Sequence, residues 1–355
     1  MASTPISTGP LFVALDVSLD ETTICAMDER GTIAFETVAA SDPDALAATL
    51  HQQRSGREIT IVGLETGPLA PWLQDGLRCA GFHAVCLETR RIKAGLQAQR
   101  NKTDKNDARG IAHMLRMGWY TEVHVKSADN HELRVLLNNR ATLGRRQRDL
   151  ENEIRGVLKG FGIKLGRVTR LSFGPRVRAA LADRPRLLAM IEPMLTVREA
   201  VLTQFQILHR MVLDAVRADP ACRRLMTVPG VGAVVALTVK TGIDDPARFA
   251  HSKDVGAHFG LTPKKYQSGE VDYDGRISKC GDASVRCALY EAANALLVRY
   301  AKKDLPLKAW AMAIAKRAGM KKAKVALARK LGVILHRMLA DGTEFLATGK
   351  VAAAG

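Results

Sequence analysis

Paired cysteines, a secretion signal and long apolar runs are all missing from this sequence. None of the 6 cysteines forms a C-x-x-C pair and the 9 histidines are not spaced around them, which argues against a zinc site. The N-terminal residues lack the basic and apolar segments of a signal peptide. No window approaches the roughly 18 apolar residues of a membrane span. We therefore expect a cytoplasmic protein with reduced thiols and no membrane partner.

Charge is unevenly distributed along the 355 residues, whose formal net charge is +17. Residues 1–90 contain 12 acids, 5 arginines and no lysine, whereas the remaining 265 residues carry 48 bases and 24 acids. A basic body of this size favours a polyanion as partner, and we predict DNA. The acidic first quarter indicates a metal-binding end.

The first 120 residues alternate strand and helix signals. Three strand-like runs come first, and helices and strands then alternate, which is the order of a ribonuclease H-like sheet. A doubly wound nucleotide-binding domain would instead begin strand–helix–strand. The predicted strands cover 11–15, 22–27, 33–38, 59–64 and 83–87, and the predicted helices cover 42–54 and 68–79.

From Ser127 the pattern becomes mainly helical. A helix to about Gly160 carries apolar residues at heptad spacing, interrupted by Arg140 and Gln147. This seam fits an arm that pairs with another subunit, or a helix that packs on its own domain. The seam residues are Leu133, Leu136, Leu143, Leu150, Ile154 and Val157. Further on we expect a break at 161–177, a return helix at 184–216, a loop at 262–279, and helices at 283–300 and 316–330.

These patterns predict an α/β plus α protein in three parts. A ribonuclease H-like (RuvC-like) domain covers 1–125, a helical coiled-coil arm with its connector covers 126–220, and a mainly helical C-terminal domain covers 221–345. The last part has helix-hairpin-helix character at Val228-Pro229-Gly230-Val231-Gly232, where Gly230 and Gly232 are candidates for phosphate contact at a helix start. An ordinary helix–helix turn is the alternative.

Four carboxylates occupy positions suited to metal binding. Asp16 and Glu65 each end a predicted strand, and Asp104 and Asp107 stand three residues apart at the start of a predicted helix. Converging carboxylates repel unless a cation neutralises them, and Mg²⁺ prefers such oxygens. Taken singly, each has an ordinary alternative as a turn residue or a helix cap, a duty that Thr103 could share. Together they predict a site for Mg²⁺ or Mn²⁺.

A serine lies among basic residues in the segment Gly-Leu-Thr-Pro-Lys-Lys-Tyr-Gln-Ser-Gly. Ser268 precedes Gly269 in a predicted turn, and a serine that attacks a phosphodiester needs nearby cations to gather the phosphate. The alternative is a DNA-binding loop with a turn serine. The group that deprotonates Ser268 stays open between a metal-bound hydroxide and a carboxylate. The predicted nucleic-acid contacts are Lys102, Lys105, Arg109, Lys264, Lys265, Arg276 and Lys279.

Five segments, in this order, resemble the transposases of the insertion-sequence 110 family. They are Ala-Leu-Asp-Val, Leu-Glu-Thr-Gly, Arg-Asn-Lys-Thr-Asp-Lys-Asn-Asp-Ala-Arg, Val-Pro-Gly-Val-Gly and the serine segment. The resemblance runs from about Phe12 to Leu339, and the Lys-Thr-Asp-x-x-Asp-Ala and Gly-Leu-Thr-Pro parts are the specific ones.

The resemblance implies a bacterial transposase with an N-terminal DEDD domain, a coiled-coil arm and a C-terminal transposase domain. By position, the four carboxylates match the DEDD set and Ser268 matches the catalytic serine. It implies a phosphoserine link to DNA, with metal beside the scissile phosphate. It also implies a homo-oligomer, a dimer assembling to a tetramer, in which two subunits complete one active site. The further implied partner is a noncoding RNA encoded by the element.

Three other functions compete with this interpretation. A metal-dependent nuclease, such as a Holliday-junction resolvase, would use the carboxylates and dispense with Ser268. A sugar kinase or actin-like ATPase shares the sheet order, but the first hairpin here has no glycine for phosphate and the basic body would have no purpose. A non-catalytic DNA-binding protein would bind DNA without regard to Mg²⁺.

Overall fold

A computed structural model describes residues 9–97, 101, 103–299 and 305–346. The chain forms two compact units that divide between Lys126 and Ser127, and each is described by itself. The first unit is a mixed α/β fold and the second is mainly helical. Within the described ranges, no helix is both long enough and apolar enough to cross a membrane.

The N-terminal unit is built on a five-stranded sheet in the order β3-β2-β1-β4-β5. The first three strands form an antiparallel meander, and β4 and β5 are added in parallel. This mixed sheet fits a ribonuclease H-like DEDD domain, as predicted. The strands are β1 (Leu11–Val17), β2 (Glu21–Met27), β3 (Ile33–Ala40), β4 (Ile59–Glu65) and β5 (Ala84–Leu87).

Helices cover both faces of this sheet. On one face, α1 and α2 pack over the core that contains Leu11, Val13 and Leu15. On the other, α3 and α4 pack over the core that contains Ala14 and Cys25. The helices are α1 (Pro43–Gln53), α2 (Ala70–Cys79), α3 (Thr89–Leu96) and α4 (Asp104–Arg116). The sequence predicted all of these elements except α3, a helix of 8 residues with a single buried side chain, Ile92.

The second unit begins with an antiparallel helix pair, the arm. Its two long helices pack along each other, and a short helix closes the tip. The helices are α5 (Ala128–Gly160), α6 (Phe173–Ala180) and α7 (Pro185–Ala218). The return helix is confirmed, whereas α6 begins inside the predicted break.

The buried seam of α5 differs from the predicted one. Its buried residues lie mainly one position later, at Leu137, Gly144, Gln147, Ile154 and Leu158, and Val157 is exposed. Of the predicted seam only Ile154 is buried. Leu133, Leu136, Leu143 and Leu150 are half-buried, so the prediction holds in part, and Gln147, which counted as an interruption, is buried and bonded to Glu151.

The rest of this unit packs helices around one apolar core. Where a loop was expected at 262–279, the chain forms a β-hairpin. The predicted tail helix is divided at Gly319, which has φ 85°. The elements are α8 (Pro220–Leu225), α9 (Ala233–Ile243), α10 (Asp254–His258), β6 (Pro263–Ser268), β7 (Val271–Ile277), α11 (Ala283–Arg299), α12 (Pro306–Ala318) and α13 (Met320–Asp341).

Candidate metal site and serine hairpin

The alternation of side chains along two strands puts Asp16 and Glu65 on one face of the sheet. Successive strand residues point to opposite faces. Ala14 belongs to the core beneath α4, so Asp16, two residues later, shares that face. Ile61 belongs to the same core, and Glu65 follows it at an even spacing. Because β1 and β4 are parallel neighbours in the register Leu15↔Leu64, the two carboxylates stand at adjacent strand ends.

A glycine lets α4 lie close to this face. A Cβ added to Gly63 would stand 2.7 Å from both terminal methyl carbons of Leu115 and 3.0 Å from Cδ1 of Leu87. Leu115 belongs to the last turn of α4 and is buried. The close packing of α4 on the sheet therefore depends on the missing side chain at position 63.

An ion pair between α4 and β3 fixes the direction in which α4 crosses the sheet. Arg109 donates to both carboxylate oxygens of Glu36, at 2.5 and 2.8 Å, and the Lys105 ammonium lies 3.5 Å from the same group. The hydrogen bonds from Arg109 are the main reason that the pKa of Glu36 lies below its usual value. At the other end of α4, Arg116 donates to the Glu29 carbonyl in the β2–β3 turn.

Measured along the strands, this crossing places the start of α4 toward the end of the sheet that carries Asp16 and Glu65. Glu36 of β3 pairs with Cys25 of β2, which in turn pairs with Ala14 of β1. Asp16 is two residues further along β1, which is about 7 Å at the usual strand rise. Asp104 precedes Arg109 by five residues, about 7.5 Å along a helix. The two displacements agree, so Asp104 is level with Asp16 along the strand direction, and Asp107 lies between it and Arg109.

Thr103, rather than an aspartate, caps α4. Its hydroxyl accepts the Asn106 N–H at 3.2 Å. Among the described residues, the carboxylates of Asp104, Asp107 and Glu65 have no hydrogen bond or ion pair to another side chain. The alternative in which Asp104 serves as the helix cap is therefore removed, and the three carboxylates keep their oxygens for another ligand.

The donor set suits a hard divalent cation. All four groups are carboxylates, the oxygen ligands that Mg²⁺ and Mn²⁺ accept. Within the described residues, no three Asp, Glu, His or Cys side chains are gathered closely enough to hold one ion. Like charges repel, so four carboxylates close to ligand distance only around a cation. The donor chemistry therefore fits such an ion, although the described side chains are not gathered around one point.

Ser268 is the last residue of β6, at the tip of the hairpin. It pairs with Val271, so the turn consists of Gly269 and Glu270, and Gly269 has φ 55°, a conformation that favours glycine. Every residue of β6 is exposed. Among the described residues the Ser268 hydroxyl has no hydrogen-bond partner, so it is available for attack on a substrate.

The two faces of the hairpin differ in chemistry. Ser268 shares its face with Tyr266 and Tyr273, whose rings stack with centroids 5.1 Å apart. Lys265 lies on the opposite face and forms an ion pair with Asp272. The lysine nearest to Ser268 in sequence is therefore turned away from it and partly neutralised.

Close backbone contacts anchor the base of the hairpin. A Cβ at Gly260 would stand 2.3 Å from the Cys280 nitrogen, and one at Gly281 would stand 2.0 Å from the His258 carbonyl oxygen. The Arg286 guanidinium donates to the carbonyls of Phe259, Cys280 and Gly281, at 2.6 to 3.1 Å. These contacts hold the two chain segments that carry the exposed strands.

The two glycines of the predicted phosphate-binding turn have different surroundings. Gly230 has φ 91°, and a Cβ there would stand 2.4 Å from the Ala292 carbonyl oxygen on α11. Its lack of a side chain is thus already explained by packing. Gly232 is exposed at the start of α9, with open space around it.

The remaining predicted contacts have different surroundings. Lys102 lies outside the described residues. Arg109 is engaged by Glu36, with Lys105 beside it. Lys264, Arg276 and Lys279 are exposed near the base of the hairpin.

The sequence reasoning missed Glu36, Gly63 and the two tyrosines. Glu36 occupies the sheet face that α4 covers, and an acid at such a position in a strand is a usable signal. Tyr266 and Tyr273 are aromatic residues in a segment that was interpreted as a loop, and their strand propensity pointed to the hairpin.

Two family profiles match this chain. The profile of DEDD transposases of IS110 elements matches residues 13–163, which contain the four carboxylates. The profile described as "Transposase IS116/IS110/IS902 family" matches residues 222–306, which contain Ser268.

The similar proteins are transposases. The transposase for insertion sequence element IS1111A of Coxiella burnetii is 26% identical over 92% of this chain and 89% of its own length. A probable family 20 transposase of Pseudomonas aeruginosa is 29% identical over 68% of this chain and 73% of its own. The transposase for insertion sequence element IS1328 of Yersinia enterocolitica is 26% identical over 69% and 74%.

Proposed function

This chain belongs to the IS110 family of transposases, and from that premise we propose that it cuts and rejoins DNA through a covalent bond to Ser268, beside a divalent cation held by the four carboxylates. The observation that carries this proposal is that Asp16 and Glu65 end neighbouring parallel strands on the sheet face that is covered by α4, the helix with Asp104 and Asp107 in its first turn. The exposed hydroxyl at the hairpin tip adds the nucleophile.

The carboxylates Asp16, Glu65, Asp104 and Asp107 would hold Mg²⁺ or Mn²⁺. When bound, such an ion stabilises charge on the attacking and leaving oxygens of a phosphoryl displacement. A DEDD domain depends on a divalent metal in general, and the choice of Mg²⁺ is part of the proposal.

The serine step exchanges one phosphate ester for another. The Ser268 Oγ bonds to phosphorus while the bond from phosphorus to the leaving sugar oxygen breaks. The serine proton passes to a carboxylate of the set, and the sugar oxygen takes a proton from solvent. Attack by a sugar hydroxyl of another strand reverses the step and releases the serine, so rejoining needs no external energy source.

Lys264, Lys265, Arg276 and Lys279 would gather the DNA backbone at the hairpin, and Lys102, Lys105, Arg109, Gly230 and Gly232 stay predicted contacts. We also propose a multimer in which carboxylates and serine from different subunits act on one phosphate. An RNA encoded by the element is the proposed guide for target and donor DNA.

The test is a search for a protein–DNA adduct. The full chain is incubated with end-labelled element-junction DNA, Mg²⁺ and, in a parallel arm, the element's RNA, and is then quenched in denaturant. Wild type should form an adduct that Ser268→Ala and Asp104→Asn abolish. Ser284→Ala and Asp75→Asn, which change exposed residues of the same types, serve as controls and should keep it.

Cleavage that survives in Ser268→Ala, without any adduct, would leave a metal-dependent nuclease and reject the serine chemistry. An adduct whose yield and sequence choice are the same with and without RNA would reject the guide. Binding of DNA without cleavage, at an affinity that does not depend on Mg²⁺, would reject both the serine chemistry and the metal-dependent nuclease.

A further inference from the structure

The segment between the two long helices of the arm is rich in positive charge. Residues 161–186 contain seven arginines and lysines and a single acid. Some arginines of the arm are neutralised within it: Arg178 bonds to Glu192 and Glu199, and Arg198 bonds to Glu151.

Two arginines of the arm lie over the same aromatic ring, and among the described residues neither is paired with an acidic side chain. The Arg140 guanidinium lies 4.8 Å from the centroid of the Phe205 ring, and that of Arg170 lies 4.9 Å from it. Arg140 also donates to Nδ1 of His209 at 3.1 Å. In the described part of the chain, neither guanidinium has a carboxylate partner. Two cations therefore gather at one point on the arm without a counter-charge.

The surrounding structure holds these groups in place. Arg198, which is 2% exposed, donates to Glu151 at 2.6 Å and to the Arg170 carbonyl at 2.5 Å, so the backbone beside Arg170 is fixed. A Cβ at Gly144 would stand 3.2 Å from the Phe205 ring, so this ring packs closely against α5. The Phe205 ring and the backbone of Arg170 are thus held by packing against α5 and by a buried ion pair, although the Arg170 side chain itself is exposed.

Such a cluster is costly unless an anion completes it. Burial and the neighbouring Arg170 lower the pKa of Arg140, and burial and both arginines lower the pKa of His209. His209 is then neutral and accepts from Arg140. A partly buried cation without a partner is unfavourable, and a planar guanidinium suits the oxygens of a phosphate, to which it donates in pairs.

We propose that Arg140 and Arg170 form a phosphate-binding site on the arm, which holds the phosphodiester backbone of a nucleic acid. The site lies on α5 and on the segment between α5 and α6, which carry none of the predicted catalytic residues. It does not depend on the serine chemistry, because it requires only that a nucleic acid be bound. The ligand chemistry is common to DNA and RNA, and the two are separated by experiment.

The experiment measures equilibrium binding of the full chain to a duplex DNA of about 30 base pairs and, separately, to a single-stranded RNA of about 30 nucleotides, over a range of salt concentrations. The test variant is Arg140→Gln with Arg170→Gln. The matched control is Arg145→Gln with Arg146→Gln, which removes the same charge from exposed positions of α5. Arg170→Gln alone is included because its exposed side chain can be removed without disturbing the bond that its carbonyl accepts.

We expect the test variant to bind at least one of the two nucleic acids about tenfold more weakly than the control variant. The slope of log affinity against log salt should fall by about one unit for each phosphate that the variant no longer neutralises. Arg170→Gln should show about half of the change in slope while it melts like wild type. The nucleic acid whose affinity falls is the ligand of the site.

Equal weakening in the test and control variants would mean that only net charge matters, and it would overturn the proposal. The proposal would also be overturned if a folded Arg170→Gln variant bound both nucleic acids with unchanged affinity. A variant that loses stability but binds normally once corrected for its folded fraction would show that the arginines serve only to pack the arm, which also overturns it.

Discussion

Replacing Gly63 with alanine tests the close packing of α4 on the sheet, on which the proposed metal site depends. The new Cβ would meet both terminal methyl carbons of Leu115 at 2.7 Å and Cδ1 of Leu87 at 3.0 Å. Both leucines are buried, at 2% and 0% exposure, so neither can swing into solvent. The helix must therefore shift away from the strand, or the leucines must take poorer rotamers.

The expected loss of stability follows from this overlap. Overpacking a filled core costs about 1–3 kcal/mol. Alanine also restricts the unfolded chain, which offsets roughly 0.4–1 kcal/mol. The net loss is about 1–2 kcal/mol, and at about 4 °C per kcal/mol the melting temperature of the N-terminal unit should drop by several degrees. Because α4 carries Asp104 and Asp107, DNA cleavage should fall further, by roughly 100-fold for a displacement of about 1 Å.

The assay compares melting and DNA cleavage of Gly63→Ala with those of Gly67→Ala, whose new Cβ would meet only the Glu65 carbonyl oxygen, at 4.0 Å. In a Leu115→Ala background the cost of Gly63→Ala should shrink or vanish, because the conflicting methyl groups are gone. If Gly63→Ala melts together with Gly67→Ala, the packing of α4 against β4 is not as described and the derived position of Asp104 fails with it.

Three further predictions concern titration and reactivity. Arg109 lowers the pKa of Glu36, so their ion pair stabilises the fold above the usual carboxyl pKa. This stabilisation is lost as the pH falls through the pKa of Glu36 in the folded state. The unfolding free energies of wild type and Glu36→Gln should therefore differ at pH 7 and converge in acid. Burial lowers the pKa of His336, so stability should fall as the pH drops below about 6.5, and His336→Asn should flatten this dependence in pH-resolved urea unfolding. Burial raises the pKa of the Cys25 thiol to about 12, whereas Cys79 is exposed; iodoacetamide at pH 8 should label Cys79 in the native protein and Cys25 only after unfolding, as mass spectrometry would show.

The parts of the fold that follow from local periodicity could be predicted from the sequence. The meander, the alternation after it and the two long arm helices repeat their apolar residues over many positions, which is a strong signal. The seam of α5 could be placed only in part, because Gln147 is polar and still buried. Its burial depends on Glu151 and on Arg198 of the returning helix, which no local pattern contains.

The candidate metal site was likewise only partly predictable from the sequence. Asp16 and Glu65 are visible in the sequence because each ends a strand, and strand ends have a recognisable pattern. The direction in which α4 crosses the sheet is not visible, since it is fixed by a contact between Glu36 and Arg109, which are 73 positions apart. The carboxylates could thus be chosen by their positions in the elements, whereas the placement of α4 over their sheet face follows only from the packing.

At the serine hairpin, the strand face on which each residue lies matters more than the composition of the segment, and a shift of one residue would exchange the two faces. Three lysines and an arginine near Ser268 suggested a single basic cluster around the hydroxyl. Side chains alternate between the faces of a strand, so the register divides the cluster, with Tyr266 on the side of Ser268 and Lys265 on the other. The two-residue turn fixes that register. A phosphate at the serine would therefore meet an aromatic surface first, and its charge must be balanced from the base of the hairpin or by groups from outside it.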